Sequence, residues 1–310
     1  MRIVFMGTPD FAVASLQALV SAGHQVCGVF SQPDKPVGRH QNKLQPTPVK
    51  VCAQACGIPV FQPVTLRDGS ALEQLRELDP QLIVAAAYGR VLPQEMLALP
   101  PLGCINVHSS LLPKYRGAAP INWAILNGEK ETGVTIMDMA PELDAGDIIA
   151  QAATDIEPNE TAQSLHDRLA AMGGALLVET VARIENGTAS RTPQNAEQVT
   201  YAPMLSRALS PMDWGRSAWE LHNQIRGLAP WPAASTDLFS SQPVKVFSSA
   251  VLERQVDLPP RTILTAGKEG IDVVCGGGTV LRILELQAPG SRRMSAADYL
   301  RGHPIEGDKS

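Results

Sequence analysis

The stretch RIVFMGTPDFAVASLQALVSAGHQVCGVF, residues 2–30, predicts the fold of the first half of the chain. Residues 2–7 form a short apolar run, which is typical of a buried strand. Residues 8–23 carry apolar side chains at helical spacing, and Pro9 suits the first turn of a helix. A second apolar run follows at residues 25–30. The stretch therefore predicts a strand–helix–strand unit, the building block of a parallel sheet.

The alternation of strands and helices continues well beyond this unit. Apolar runs at residues 81–87 and 103–107 are nearly uninterrupted, which indicates strands covered on both faces of a parallel sheet. Toward the end of the chain the pattern changes to short alternating strands separated by Gly and Pro, typical of a small antiparallel barrel or sandwich. We expect an α/β, Rossmann-like, doubly wound and mostly parallel sheet over residues 1–188, a linker over 189–207 and a β-barrel domain over 208–310.

The composition excludes several classes of protein. A hydrophobic content of 44% and a charged content of 18% are those of a globular protein. No segment approaches the roughly 20 consecutive apolar residues of a membrane span, and the first residues make a poor signal peptide. We therefore expect a cytoplasmic protein without a membrane partner. The net charge of −5 argues against indiscriminate nucleic-acid binding. A polyanionic partner would therefore have to bind to a small, local basic patch.

The cysteines and the first strand–helix turn each exclude a type of site. The five cysteines are scattered, and Cys52 and Cys56 have no neighbouring His or Cys that completes a metal site, so we expect no metal. In FMGTPDF, residues 5–11, Gly7 is the only glycine, and proline and aspartate stand where dinucleotide-binding turns carry further glycines. We therefore expect no nucleotide site at this turn.

Polar side chains mark one strand end of the predicted sheet. Asn106 and His108 lie at the end of the apolar run GCINV, and the period of two in a strand points both side chains in one direction. Asp144 follows another predicted strand, in a Gly-rich turn. An amide that donates to an oxyanion, an imidazole that moves a proton and a carboxylate that orients the imidazole would make an acyl-transfer site. Spacing alone leaves open that His108 is structural and that Asp144 only forms the turn.

Two longer segments resemble one enzyme family. NVHSSLLPKYRGAAPI, residues 106–121, and GVTIMDMAPELDAGDI, residues 133–148, are similar to the formyltransferase family that uses 10-formyltetrahydrofolate. The resemblance implies that Asn106, His108 and Asp144 are the catalytic residues. It also implies that 10-formyltetrahydrofolate is the co-substrate and that no metal takes part.

Further segments indicate which branch of the family the chain resembles. GTPDFAV near the start, DWGRSAWELHNQIRGLAPWPAA and the β-rich end resemble the branch that formylates the methionine carried by initiator tRNA, and the likeness runs from about residue 2 to residue 300. This implies an OB-like C-terminal barrel that docks tRNA, and we expect a monomer. Two alternatives stay open. One is the same chemistry on another amine, such as an amino-sugar nucleotide, and the other is a non-catalytic RNA-binding module on a Rossmann scaffold.

The resemblance also assigns residues to a folate site. The Ser-Leu-Leu-Pro turn after His108 would form one wall of this site, and the segment YGRVLP, residues 88–93, would form the other. Backbone groups of the second segment would recognise the pterin ring. Without the resemblance, core packing is the simpler interpretation of the two leucines of the turn. The implied folate-binding residues are Ser110, Leu111, Leu112, Pro113, Arg90 and Leu92.

The polar segment after the second strand, residues 31–48, is where we expect contacts with RNA. Four cations in and just after it, Lys35, Arg39, Lys43 and Lys50, stand against a single acid. Taken alone, the segment is a long solvated loop, but it resembles the family's inserted loop that engages the acceptor stem of tRNA. We expect Arg39 to be the main contact and Lys43 a secondary one, and we expect binding to be salt-sensitive.

Overall fold

A computed structural model describes residues 1–37 and 43–305 of the chain. These residues form two compact units. The first unit is made of residues 1–120, 132–154 and 166–202, and the second of residues 121–131, 155–165 and those from 203 onward. The units are discontinuous in the chain, whereas the boundaries predicted above follow chain order.

The strands, numbered in chain order, are β1 (Arg2–Gly7), β2 (Gln25–Phe30), β3 (Lys35–Val37), β4 (Lys43–Gln45), β5 (Val60–Phe61), β6 (Leu82–Ala86), β7 (Cys104–His108), β8 (Arg116–Gly117), β9 (Glu131–Asp138), β10 (Ile148–Asp155), β11 (Tyr201–Ala202), β12 (Ala234–Thr236), β13 (Val244–Gln255), β14 (Ile263–Gly267), β15 (Gly270–Val274), β16 (Thr279–Gln287) and β17 (Met294–Ser295). The helices are α1 (Asp10–Ser21), α2 (Pro48–Ala55), α3 (Ser70–Leu78), α4 (Gln94–Leu97), α5 (Pro120–Leu126), α6 (Ala162–Glu185), α7 (Ala218–Leu228) and α8 (Ala296–Gly302). Within the described residues, no helix has the length and apolar character that crossing a bilayer requires.

The first unit is built on a seven-stranded sheet with the order β10-β9-β7-β6-β1-β2-β5. The strands β1, β2, β5, β6 and β7 pair in parallel, and β9 pairs with β7 in the antiparallel sense. β1 and β6 are almost wholly buried, as expected for strands covered on both faces. The predicted Rossmann-like, mostly parallel sheet is confirmed.

Helices cover both faces of this sheet. On one face, Leu72 and Leu75 of α3 belong to the same buried cluster as Val4 of β1. On the other face, α6 approaches the sheet so closely that a Cβ at Gly173 would lie 3.0 Å from the side chain of Val107. The small residue in the middle of α6 therefore sets the distance between this helix and β7.

Residues 31–48, predicted to be a long loop, contain a short hairpin in which β3 pairs with β4 in the antiparallel sense. α2 then begins at Pro48, and Thr47 caps it by accepting a hydrogen bond from the backbone N–H of Lys50. Residues 38–42, which include Arg39, lie outside the described residues, and only the backbone of Lys43 is described. The predicted contacts of these two side chains with RNA therefore stay predictions.

The second unit holds a six-stranded sheet with the order β12-β13-β16-β15-β14, and β17 pairs with β16. The described pairs in this sheet are antiparallel. Its buried core joins Trp214 with Ile225 of α7 and Tyr299 of α8, so both helices pack against the sheet. A capping box between Ser217 and Glu220 fixes the start of α7. The predicted C-terminal β domain is confirmed as an antiparallel-sheet domain.

Residues 189–202, predicted to be part of a linker, belong to the first unit. The pairing of β11 with β8 is parallel, and the N–H of Arg116 donates to the carbonyl of Thr200 at 2.9 Å. The segment is polar and lacks a helical period, but these backbone bonds hold it against the unit. We call residues 191–202 the strap.

Candidate active site

The strand β7 places Asn106 and His108 at the carboxyl edge of the parallel strands. In the sheet register, Asn106 lies between Ala85 of β6 and Met137 of β9, and His108 lies opposite Thr135 of β9. Because side chains alternate along a strand, those of Asn106 and His108 point to the same face. Asn106 is half-buried, and His108 is 6% exposed. The end of β7 thus brings an amide and an imidazole to one face of the sheet.

The two nitrogens of His108 have different surroundings. Nε2 lies 2.9 Å from the carbonyl oxygen of Tyr115. A carbonyl only accepts hydrogen bonds, so Nε2 carries a hydrogen and donates it. Nδ1 lies 3.7 Å from Oδ2 of Asp144. In the neutral imidazole the free lone pair is therefore on Nδ1, on the side of the carboxylate.

The turn between β9 and β10 carries Asp144. Its Oδ2 accepts a hydrogen bond from the backbone N–H of Gly117 at 2.8 Å. The φ angle of Asp144 is 50°, in the left-handed region that few residues other than glycine adopt. Two residues later, a Cβ at Gly146 would lie 1.8 Å from the carbonyl oxygen of Asp138, so only glycine fits there. The shape of the turn that holds the carboxylate near His108 thus requires the glycine of the Leu-Asp-x-Gly pattern.

The meeting of His108 and Asp144 does not arise from the ends of two parallel strands. Because β9 runs antiparallel to β7, its last residue, Asp138, is level with Ile105 near the start of β7. Asp144 reaches His108 because the turn of residues 139–147 folds back toward the end of β7. The shape of this turn is thus the physical reason that the two residues named from the sequence meet.

Two polar side chains from neighbouring strands hold the Ser-Leu-Leu-Pro turn. Thr135 Oγ1, on β9, donates to the carbonyl of Ser110 at 2.6 Å and accepts from the N–H of Leu112 at 3.1 Å. Gln151 Nε2, on β10, donates to Thr135 Oγ1 and to the carbonyl of Leu112, both at 2.9 Å. Leu112 is itself 3% exposed. Both backbone groups and the side chain of this leucine are thus used within the protein, and they shape the turn.

We expect the Thr135→Val variant to be less stable than the unmodified protein by about 1–3 kcal/mol. The substitution keeps the shape of a fully buried side chain but leaves the N–H of Leu112 and the carbonyl of Ser110 without their partner. Urea unfolding measures the loss. Thr180→Val is the matched control, because Thr180 is equally buried and donates only to the carbonyl of Leu176 in its own helix. A loss no larger than that of the control would contradict the expectation.

The segment of residues 88–93 follows β6 at the same edge of the sheet. Gln32 Nε2 donates to the carbonyl of Tyr88 at 2.9 Å and so fixes the start of the segment. Leu92 is buried, and the guanidinium of Arg90 donates to the backbone carbonyl of Val64, in the loop between β5 and α3. Among the described residues, the backbone N–H groups of Arg90 and Leu92 make no hydrogen bond. No described group therefore competes with a ligand for these two donors.

Lys50, which lies just after the predicted RNA-binding segment of residues 31–48, is held within the protein. Its Nζ lies 2.6 Å from Oδ2 of Asp34 and 2.8 Å from Oε1 of Gln62. Gln62 also donates to Oδ1 of Asp34 at 2.7 Å. The hydrogen bonds from Gln62 and from Lys50 lower the pKa of the Asp34 carboxyl below its ordinary value. The only acid of the segment is thus paired with Lys50, and this pair anchors the base of the β3–β4 hairpin.

Two family models match the sequence of the chain. The model described as "Formyl transferase" matches residues 1–181, and the model described as "Formyl transferase, C-terminal domain" matches residues 205–304. The chain belongs to the formyltransferase family. The family resemblance drawn from the two motifs is confirmed, and with it the use of formyltetrahydrofolate that the family shares.

Relatives of this formyltransferase match it over nearly its whole length. A methionyl-tRNA formyltransferase from Alkaliphilus oremlandii is 49% identical over 306 residues, which are 99% of this chain and 98% of the relative. One from Pelotomaculum thermopropionicum is 50% identical over 98% of this chain and 96% of the relative. The crystal structure of an N-formyltransferase from Helicobacter canadensis, in complex with folinic acid and dTDP-3-aminofucose, has a TM-score of 0.68 at 22% identity and covers 91% of this chain and 98% of that one. At this identity it shows the shared fold alone.

The formyltransferase site contains residues that the sequence analysis missed. Thr135 was detectable in principle, since it is a polar residue within the apolar run of β9. Gln194 and Thr200 lie in the strap, whose composition carries no such signal, yet Gln194 contacts the Asp144 turn and Thr200 Oγ1 accepts from the N–H of Tyr115 at 2.8 Å. Among the described residues, no group of three or more His, Cys, Asp or Glu side chains is placed to hold a metal ion.

Proposed function

We propose that the chain transfers the formyl group of 10-formyltetrahydrofolate to the α-amino group of methionyl initiator tRNA. One observation carries the proposal. His108 and Asp144 lie 3.7 Å apart, beside Asn106, in a chain whose full-length relatives are methionyl-tRNA formyltransferases. The reaction takes place in the cytoplasm, where translation begins, and the enzyme acts as a monomer.

The nucleophile of this reaction needs no strong base. Free α-amino groups have a pKa of about 7.7–8.0, and an ester next to the amine lowers this value. A useful fraction of the α-amino groups of methionyl-tRNA is therefore neutral near pH 7. Attack of the neutral amine on the formyl carbon makes one N–C bond and releases one proton. An imidazole is basic enough to take that proton.

His108 accepts the proton at Nδ1. Nε2 is occupied by the carbonyl of Tyr115, so Nδ1 holds the free lone pair. The imidazolium that forms lies 3.7 Å from the carboxylate of Asp144, which stabilises the positive charge. The bond from the formyl carbon to N10 of the folate then breaks, the His108 imidazolium gives up its proton, and Asp144 relays this proton through water to N10. One proton leaves the amine and one reaches N10, so the reaction is balanced.

Asn106 stabilises the formyl oxygen while it carries negative charge. Its side-chain amide points to the same face of the sheet as His108, and the amide N–H groups are donors. A donor fixed in this way acts mainly in the transition state, because the charge on the oxygen develops only there. Asn106 and protonated His108 together thus face one reacting carbon.

Two wall segments hold the folate. The Ser-Leu-Leu-Pro turn of residues 110–113 is fixed by Thr135 and Gln151 and forms one wall. The free backbone N–H groups of Arg90 and Leu92 belong to the other wall and donate to the pterin ring. Because both segments follow strands at the same edge of the sheet, the folate lies beside the end of β7.

The segment of residues 31–48 binds the acceptor stem of the tRNA, and the antiparallel domain holds the tRNA elsewhere. We expect Arg39→Ala to raise the KM for charged tRNA, or to lower kcat, by about tenfold, because one charge-assisted phosphate contact is worth roughly 1.5–3 kcal/mol. The KM for 10-formyltetrahydrofolate should stay within about twofold. Steady-state kinetics with each substrate varied in turn measures both values.

Arg76→Ala is the control for this comparison, because Arg76 is exposed on α3 and pairs with Glu73 of the same helix. It should change neither KM. If Arg39→Ala weakened the use of folate and of tRNA equally, the assignment of the segment to RNA binding would be wrong.

A single-turnover assay distinguishes the proposed substrate from the main alternative. Radiolabelled methionyl initiator tRNA, methionyl elongator tRNA and a dTDP-linked amino sugar are each mixed with the enzyme and 10-formyltetrahydrofolate. We expect fast formylation of the initiator tRNA and slow or no reaction of the other two. Faster transfer to the amino sugar, or no measurable affinity for the charged initiator tRNA in filter binding, would overturn the proposal.

A further inference from the structure

The side-chain amide of Gln194, in the strap, has all of its hydrogen-bonding groups paired within the site. Its Nε2 donates to the backbone carbonyls of Asp144 and Gly146, both at 2.8 Å. Its Oε1 accepts from Nε of Arg116 at 3.0 Å and from Nη2 of the same guanidinium at 2.7 Å. A primary amide has two N–H donors and one oxygen with two lone pairs. Four bonds therefore use its whole capacity.

The orientation of this amide follows from its partners. A carbonyl oxygen can only accept and a guanidinium can only donate. The nitrogen of Gln194 must therefore face the turn, and its oxygen must face Arg116. A glutamate at this position would keep the partner at Arg116 but would place a carboxylate oxygen against two carbonyl oxygens. Residue 194 thus needs both ends of an amide, on a side chain of this length.

These bonds fix the part of the turn that carries the carboxylate. Asp144 has a φ angle of 50°, which residues other than glycine seldom adopt, so its conformation needs support from outside the turn. Gln194 gives that support at the carbonyl of Asp144 itself. Arg116, held by the same amide, precedes Gly117, whose N–H donates to Oδ2 of Asp144. Gln194 therefore contacts both segments that determine where the carboxylate points.

We propose that Gln194 is a positioning residue that holds the carboxylate of Asp144 beside His108. The inference rests on the proposed function, because it takes Asp144 to be part of the catalytic group. The segment that the sequence predicts to be a linker thus contributes a residue to the active site. Gln194 contacts the reacting atoms only through Asp144, so its removal should reduce the rate of the chemical step rather than the binding of substrates.

The Gln194→Ala and Gln194→Glu variants test this proposal by kcat and KM. We expect both to lower kcat about 10- to 100-fold, because a displacement of about 1 Å in a catalytic group can cost about 10²-fold in rate. The KM for 10-formyltetrahydrofolate and for charged tRNA should stay within about threefold. Gln198→Glu is the matched control, because Gln198 lies exposed in the same strap, and its kcat should be unchanged. A rise in KM with kcat unchanged in the Gln194 variants would overturn the proposal.

A double-mutant cycle with Asp144→Asn separates positioning from a general structural role. Single-turnover rates with radiolabelled methionyl-tRNA are measured for the unmodified enzyme, both single variants and the double variant. If Gln194 acts through Asp144, Gln194→Ala should slow the Asp144→Asn enzyme by less than about threefold. The same 10- to 100-fold factor in both backgrounds would mean that Gln194 acts independently of Asp144, and the inference would be wrong.

The same rates distinguish failure of the inference from failure of the proposed function. If Asp144→Asn is severely impaired and Gln194→Ala is fully active, only the inference about Gln194 is wrong. If Asp144→Asn keeps the unmodified rate, the catalytic assignment of Asp144 is wrong, and the inference fails with it.

Discussion

Formyl transfer by the His108→Ala variant is expected to be about 10²- to 10⁴-fold slower than by the unmodified enzyme, the range that positioned general acid–base groups contribute. In the proposed mechanism, the substitution removes the atom that takes the proton from the attacking amine and the cation that faces the formyl oxygen. No other described imidazole can replace it in the proposed site, because the strand β7 places only His108 within 3.7 Å of Asp144. The rate is measured in single turnover with saturating methionyl-tRNA, so that a change in affinity does not enter.

His166→Ala is the matched control for this variant. His166 lies on α6, where it pairs with Asp10 and Asp167 at the surface, and it has no part in the proposed reaction. We expect its rate to equal that of the unmodified enzyme. Binding of 10-formyltetrahydrofolate to His108→Ala should stay within a few-fold, since the proposed folate walls are formed by other segments. An active His108→Ala enzyme would show that the proton goes elsewhere.

The sequence was sufficient to predict the architecture of the first unit because burial leaves a direct pattern. Strands such as residues 82–86 are covered on both faces and are therefore apolar without interruption. The direction of β9 could not be predicted from the apolar pattern, since a buried antiparallel strand has the same apolar composition as a buried parallel one. Only the register against β7 reveals it. The division of the chain into units was also not accessible, because it depends on contacts between segments that are distant in sequence.

The three catalytic candidates could be named from the sequence because their motifs resemble a known family, and the structure shows that each motif also meets a local physical requirement. A glycine is needed at residue 146 by the close approach of Asp138, and the alternation in β7 puts Asn106 and His108 on one face. The residues that hold them have no such local requirement. Gln194 is one polar residue among many in a polar segment, and its role follows from carbonyls fifty and forty-eight positions away in the chain. Supporting side chains of this kind can be found only from coordinates.

The cations in and just after the segment of residues 31–48 also show what the sequence alone does not reveal. A count of charges treats every cation as available to a partner, and by that count Lys50 is equivalent to Arg39. The structure pairs Lys50 with Asp34 and Gln62, so this lysine serves the hairpin rather than a partner. A net charge predicts that a segment attracts a polyanion, but which cations are free depends on the side chains packed around them.

The Asp144→Asn variant should transfer formyl groups about 10²- to 10⁴-fold more slowly than the unmodified enzyme, by comparison with the loss when the carboxylate that orients a catalytic imidazole becomes an amide. The change keeps the size of the side chain, and the amide oxygen can still accept from the N–H of Gly117. The turn and its contacts with Gln194 should therefore be preserved. What is lost is the negative charge 3.7 Å from Nδ1 of His108 and, in the proposed mechanism, the group that relays a proton toward N10.

Asp147→Asn, in the same turn, is the control for the loss of charge alone, because the structure uses the backbone carbonyl of Asp147 to close the turn. We expect its kcat to stay within about twofold of the unmodified value, while circular dichroism and thermal unfolding show both variants to be folded. If Asp144→Asn lost affinity for folate and tRNA but kept its single-turnover rate at saturation, the carboxylate would be a binding group. A loss confined to the chemical step instead assigns to Asp144 the two tasks that its position allows, stabilising the imidazolium of His108 and returning a proton to the leaving nitrogen.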